Sequence, residues 1–217
     1  MSNVIWAEIG AGLIETLQMT VISTILAYLM GMPLGILLVV TDKGQILENR
    51  GVNLVFGTIV NIFRSIPFLI LLVFLIPFTR LLTGASIGTV ATIVPLTVGA
   101  IPIVARMVES SLKEVPPGIV EAAQSMGASP MEIIVSFLIP EAVPSLLLGG
   151  AINLATILGY SAMAGCIGGG GLGAIALNYG YYRYQTDVLL VTVVTLVIIV
   201  QVFQEVGTRL SIKMRHS

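Results

Sequence analysis

The sequence predicts an all-α integral membrane protein with five transmembrane helices. Of its 217 residues, 56% are hydrophobic and only 10% are charged, and the mean hydropathy is +1.04. Apolar runs of about 20 residues recur along the chain, which is the length that an α-helix needs to cross a roughly 30 Å hydrocarbon core. A net charge of −1 gives no electrostatic reason to expect a nucleic-acid partner. We therefore expect the lipid bilayer to surround residues 1–217 as a single transmembrane domain.

Five apolar segments are long enough to be spans, and two prolines predict irregularities within the second of them. Pro67 and Pro77 lie inside the second segment, where proline kinks a helix and frees backbone carbonyls. The predicted spans are 13–40, 54–78, 86–105, 139–163 and 188–206.

The distribution of Lys and Arg predicts the orientation of the chain, because cytoplasmic loops are enriched in these residues. An odd number of spans places the two termini on opposite faces of the membrane. Only Arg80 and Arg183 fall on one face. The N-terminus is therefore expected outside and the C-terminus in the cytoplasm. The eight basic residues on the cytoplasmic face are Lys43, Arg50, Arg64, Arg106, Lys113, Arg209, Lys213 and Arg215.

The longest loop between spans, residues 106–138, is predicted to contain a short helix on the cytoplasmic face. Pro116 and Pro117 suit the first turn of a helix, and Gly127 suits the residue just after its end. Helical spacing also predicts one apolar face, formed by Ile119, Ala122, Ala123 and Met126. A second helix is expected to follow at once and lead into the fourth span, since Ser129, Pro130 and Glu132 form a capping-box pattern.

The predicted short helix is better suited to a protein partner than to the membrane surface. Interfacial helices usually carry Lys and Arg on the polar face, whereas residues 114–138 contain neither. A small apolar stripe on a helix of about ten residues fits docking into a groove of another protein.

Residues of this loop resemble the EAA motif of bacterial ABC importer permeases, in which a cytoplasmic coupling helix sits in a cleft of the ATP-binding subunit. The resemblance rests on Glu121, Ala122, Ala123, Gly127 and Pro140 at their relative spacing. It implies polar contacts of Glu121 with an ATPase, close approach at the two alanines, and a turn at Gly127. The alternative is that these residues only hold the fold of the loop itself.

Further segments extend the resemblance to permease subunits of methionine importers, from about residue 15 onward. The segments are 61–68, 93–99, 105–109, 159–163 and 170–173. The resemblance implies a homodimer in the bacterial inner membrane, two copies of an ABC ATPase and an extracytoplasmic substrate-binding lipoprotein. Permeases for osmoprotectants or polar amino acids share the EAA loop and remain the alternative.

The chain is not expected to be an enzyme or to hold a cofactor. It has no Gly-x-x-x-x-Gly-Lys-Ser/Thr phosphate loop, so ATP and Mg are expected on the partner ATPase. Cys166 and His216 are the single residues of their kinds, which gives no basis for a metal site or a catalytic triad. The run from 168 to 173 matches Gly-x-Gly-x-x-Gly but follows a membrane span, so Gly168, Gly170, Gly171 and Gly173 are interpreted as structural glycines for close backbone packing or a re-entrant segment.

The fourth span supplies the candidates for the transport pathway. Tyr160, Ser161 and Met163 lie in its middle and outer part, within the segment that resembles methionine permeases; helix packing is the alternative for Ser161. An ion-coupled secondary transporter, the remote alternative, is expected to have a carboxylate near the membrane midplane. Glu15 and Glu141 lie near span ends instead, which favours capping or an interfacial position.

Overall fold

The computed structural model describes residues 3–215 and contains no β-strand within that range. His216 lies outside the described residues. Short π-helical turns occur at Ile133–Leu138 and Ala176–Tyr181, and a 3₁₀ turn occurs at Gly165–Ile167. The α-helices are α1 Asn3–Val40, α2 Arg50–Ser65, α3 Phe68–Phe74, α4 Ile76–Thr83, α5 Thr89–Lys113, α6 Pro117–Ser125, α7 Pro130–Glu132, α8 Ile139–Ala164, α9 Gly171–Ile175 and α10 Thr186–Arg215.

Within residues 3–215, four helical segments are long and apolar enough to cross a membrane, and a fifth candidate is a bent pair. The four are Ile5–Val40, Thr89–Lys113, Pro130–Ile167 and Thr186–Met214. The count of up to five agrees with the prediction from hydropathy. The second predicted span, 54–78, coincides with this bent pair: α2 and α3 meet at an angle of 101° next to Pro67, where the sequence predicts a kink.

The bend between α2 and α3 follows from the proline that separates them. Pro67 has no N–H to donate within a helix, and its ring disfavours helical backbone in the residue before it. Ile66 accordingly takes extended dihedrals, φ −80° and ψ 123°. Pro77 lies at the start of α4, which begins directly after a second break at Leu75.

Helix α5 occupies the centre of the molecule and packs against α1 and α8. Leu96, Val104 and Val108 of α5 are completely buried. Gly31 on α1 allows this contact, since a Cβ there would lie 2.8 Å from the Cβ of Val104. Close packing through small residues is the usual means by which membrane helices associate.

The helices on either side of the predicted cytoplasmic loop are longer than hydropathy indicates. Helix α5 continues about two turns beyond residue 105, to Lys113, and the fourth span starts at Pro130. In the added turns of α5, polar residues such as Arg106, Glu109 and Lys113 lower the local hydropathy while the helix continues. Helix α6 therefore lies between the end of α5 and the start of the fourth span, and only residues 114–116 and 126–129 connect it to them.

Candidate functional site

Helix α6 has the boundaries that its sequence predicts. Pro116 precedes it with extended dihedrals and Pro117 is its first residue. At the other end, Gly127 has φ +79° and donates its N–H to the Gln124 carbonyl at 2.9 Å, while the Ala128 N–H donates to the Ala123 carbonyl at 3.1 Å. These two bonds form a Schellman motif, in which a glycine in the left-handed region closes the helix.

The apolar stripe predicted for α6 is divided between two faces, so that part of the prediction is wrong. Ala123 is completely buried, and Ile119 and Val120 pack on the same core cluster. Ala122 is exposed, and Met126 is 71% exposed. The helix is anchored by three residues along one side, which leaves Ala122 and Met126 free to meet a partner.

The capping box after α6 is present as predicted. The Ser129 N–H donates to the Glu132 carboxylate at 2.7 Å, and the Glu132 N–H donates to the Ser129 hydroxyl at 3.4 Å. Met131, in the same turn, is 67% exposed. It is a second exposed methionine, five residues after Met126 in the sequence.

Pro140 is exposed near the start of α8, directly after a π-helical turn. Because proline has no N–H and its ring crowds the carbonyl four residues earlier, the preceding turn widens. The Ile139 N–H accordingly donates to the Ile134 carbonyl, five residues back. Pro140 thus marks a widened turn next to a cavity of about 640 Å³ that Glu114 and Pro116 also line.

Glu121 lies at a different cavity. Its side chain is exposed and lines a cleft of about 310 Å³ between α6 and the segment that joins α1 to α2. Gly44, Gln45 and Lys113 line other parts of the same cleft. The carboxylate is therefore accessible to a partner that approaches α6.

A network of charged groups lies beside this cleft. Glu109 accepts hydrogen bonds from Arg106 and, at 2.9 Å, from Lys113. Lys113 also pairs with Asp42 at 2.8 Å, and Arg106 donates to the Asn61 side chain at 2.7 Å. The hydrogen bond from Lys113, aided by a backbone N–H, lowers the pKa of Asp42 below its usual range. The network joins α2, α5 and the segment after α1.

The structure places Tyr160 at a cavity and Ser161 away from it. The Tyr160 ring stacks on Phe68 with centroids 4.2 Å apart and planes parallel within 1°. Both rings line a cavity of about 240 Å³, together with Arg64 and Ile103. Ser161 is buried, and its hydroxyl donates to the Leu158 carbonyl at 2.8 Å, the arrangement of a packing residue.

Met163 is half exposed, and it precedes the glycine-rich segment. Gly168 and Gly170 have positive φ angles, as does Gly171. Gly173 lies so close to the Ala162 carbonyl that a Cβ would overlap it. Glycine is the residue that these backbone conformations and this close contact favour.

The two N–H groups that a phosphate would need in this segment are already used. The Gly171 N–H donates to the Glu15 carboxylate at 2.7 Å, and the Leu172 N–H donates to the Thr16 hydroxyl at 2.9 Å. Glu15 therefore caps a short helix, the role expected from its place near the end of the first span. This arrangement is unlike a phosphate-binding loop, where such N–H groups face the ligand.

Comparison with known protein families gives one family for most of the chain. Residues 31–207 match the model of the binding-protein-dependent transport system inner membrane component. The chain belongs to this family. It is accordingly an ABC permease component of the inner membrane that crosses the bilayer several times.

Curated relatives of this permease family include two that align over nearly the whole chain. The probable D-methionine transport system permease protein MetI of Vibrio cholerae is 51% identical over 202 residues, 93% of this chain and 90% of the relative. Its counterpart from Pasteurella multocida is 45% identical and covers 100% of both chains. Among solved structures, the MetNI methionine ABC transporter in inward-facing conformations matches with a TM-score of 0.97, 48% identity and 99% coverage of each chain.

Sequence reasoning for this permease missed the charged network and the aromatic stack. Arg106, Glu109 and Lys113 follow helical spacing on one face of α5, a pattern that could have indicated mutual ion pairs. Asn61 and Asp42 gave no such signal, because they lie on α2 and on the turn after α1, which only the packing of the helices brings to α5. Arg64 lines the cavity of Tyr160.

Proposed function

We propose that this chain is the membrane-spanning permease subunit of an ATP-driven importer of methionine, including the D-isomer. The observation that carries the proposal is the near full-length similarity to permeases named for D-methionine transport, at 51% and 45% identity. A subunit of a methionine ABC transporter has the same fold with a TM-score of 0.97. Similarity of this extent supports the substrate class as well as the fold.

Helix α6 is the coupling helix of this proposal. Its buried side, at Ala123, fixes it to the permease, while Glu121, Ala122 and Met126 remain exposed. A small residue between an acid and a flexible methionine suits close docking into a cleft of an ATPase subunit. Gly127 ends α6, and Pro140 lies near the start of α8, the next long helix. The N-terminus of the chain lies outside the cell and the C-terminus lies in the cytoplasm.

The assembly consists of two copies of this chain, two copies of a separate ATPase and an extracytoplasmic substrate-binding lipoprotein. ATP and Mg bind to the ATPase, and this chain catalyses no reaction itself. Two copies about a two-fold axis present two α6 helices to a pair of ATPase subunits.

Transport follows from alternating access. ATP-driven closure of the two ATPase subunits draws the α6 helices together and turns the pathway outward, and hydrolysis resets it. Tyr160 and Met163 are the lining residues of this pathway, and the Tyr160 ring with Phe68 is positioned to close it.

Uptake of labelled L-methionine, D-methionine, glycine betaine and histidine by cells with and without the chain tests the substrate. We expect only methionine uptake to depend on the chain and to stop on ATP depletion, while an uncoupler at constant ATP leaves it unchanged. Loss of betaine or histidine uptake would indicate an osmoprotectant or polar amino-acid permease. Uptake that follows the ion gradient would overturn the ABC mechanism.

A matched pair of substitutions tests the coupling surface. Ala122→Arg places a long cation on the exposed side of α6, whereas Ala85→Arg places it at an exposed position in the segment between α4 and α5. We expect Ala122→Arg alone to abolish co-purification of the ATPase and methionine uptake. If Ala122→Arg retained both ATPase co-purification and methionine uptake, the docking role of α6 would be refuted.

A further inference from the structure

The charged network on α5 connects the segment before α6 with α2. Glu109 lies at its centre, with a side chain only 12% exposed, and it binds Arg106 and Lys113. Lys113 is the last residue of α5 and reaches Asp42 at 2.8 Å. Arg106 reaches α2, donating to the Gly57 carbonyl at 3.0 Å and to the Asn61 side chain at 2.7 Å.

Both apolar packing and polar contacts hold α2 against α5. Val60 is the buried residue of α2, and it packs in a small cluster with Leu38 and Ala105. Leu54 is 67% exposed and Ile62 is 56% exposed. With so little buried area, the two hydrogen bonds from Arg106 make up a large share of the contact between the helices.

The far end of α2 leads to the aromatic stack. After the bend at Pro67, Phe68 lies with its ring on Tyr160. Only Ile66 and Pro67 separate α2 from α3, which carries Phe68, so a shift of α2 relative to α5 pulls on the start of α3, whereas Tyr160 lies on α8. At the near end, three residues separate Lys113 from α6, so a displacement of α6 acts directly on the end of α5.

We propose that Glu109 and Arg106 are positioning residues, which transmit movement of α6 to α2 and so to the Phe68–Tyr160 pair. This inference rests on the proposed function, since it requires that an ATPase moves α6. The four charged groups, Asp42, Lys113, Glu109 and Arg106, sum to zero. Glu109→Gln keeps the shape of the side chain but removes the carboxylate that Arg106 and Lys113 share. Lys113 then keeps its pairing with Asp42 and Arg106 keeps its contacts on α2, but the link between the two cations is lost.

The expected defect is a loss of coupling with retention of assembly. In Glu109→Gln, the ATPase still binds α6 and hydrolyses ATP, but fewer methionine molecules cross per ATP hydrolysed. Single residues along such networks change coupling by about 2- to 30-fold, and we expect a fall of that size in the ratio of uptake to hydrolysis.

The test uses proteoliposomes that contain the chain with its ATPase and substrate-binding protein. Uptake of labelled methionine and phosphate release are measured for Glu109→Gln, for Asn61→Ala and for the double variant. Glu205→Gln is the matched control, because Glu205 also pairs with an arginine on its own helix, Arg209 at 2.6 Å, but at an exposed site on α10. Lys113→Met, at a side chain 43% exposed, replaces Glu109→Gln if that variant does not assemble.

Non-additive effects of Glu109→Gln and Asn61→Ala on the uptake-to-hydrolysis ratio are expected, because the two residues act through one Arg106 side chain. Glu205→Gln should leave the ratio unchanged and add independently to Asn61→Ala. An unchanged ratio in Glu109→Gln, or strictly additive effects, overturns the inference. Absence of methionine uptake in the wild-type assembly refutes the proposed function instead, so the two failures are distinguishable.

Discussion

Substitution of Gly127 by alanine isolates the backbone requirement of the turn after α6. Nothing lies within 4 Å of a Cβ at this position, and φ is +79°. The substitution therefore introduces no clash, and its effect comes only from the left-handed backbone, which costs an L-residue about 1–2 kcal/mol. We expect the free energy of opening the Schellman turn to fall by that amount.

Hydrogen–deuterium exchange of the peptide from 115 to 130 measures this change. A loss of 1–2 kcal/mol corresponds to exchange about 5 to 30 times faster. Gly118→Ala is the matched control, because a Cβ there also meets nothing within 4 Å but its φ is in the helical region. Alanine at position 118 should stabilise the helix by about 0.5 kcal/mol and so slow exchange slightly. Equal acceleration by the two substitutions would refute the conformational argument.

Two other positions give predictions of different kinds. Gly173→Ala should sharply reduce the yield of folded protein in detergent, because the added Cβ meets a backbone carbonyl of α8. Gly159→Ala is the control and should keep the yield, because nothing lies within 4 Å of a Cβ there. Equal yields of the two variants on size-exclusion chromatography would contradict this packing. The pKa of Asp42 lies below its ordinary value of 3.8, so its contribution to stability is present above that value and is lost as the pH falls below it. Carbon-13 NMR should show this pKa rising toward 3.8 in Lys113→Met and staying low in Lys43→Met, which keeps the backbone N–H; no rise in Lys113→Met excludes the ion pair as its cause.

The local features of α6 and the turn after it were predictable because short-range rules govern them. Pro117, Gly127 and the capping box of Ser129 with Glu132 act over four or five residues, so their geometry follows from the order of the chain. The division of the apolar stripe was not predictable from helical spacing. Ala123 is buried and Met126 exposed only because the core cluster covers one side of α6.

Composition and hydropathy by themselves determined the membrane class and the approximate number of spans, because the length of an apolar run has a direct meaning in a bilayer. Only the tertiary structure decided which residues from distant parts of the chain make contact. The 101° bend between α2 and α3 brings Phe68 onto Tyr160, and the packing of α1, α2 and α5 brings Asp42 and Asn61 to the charged face of α5. These contacts join residues 45 to 92 positions apart, and a single sequence carries no periodic signal over such distances.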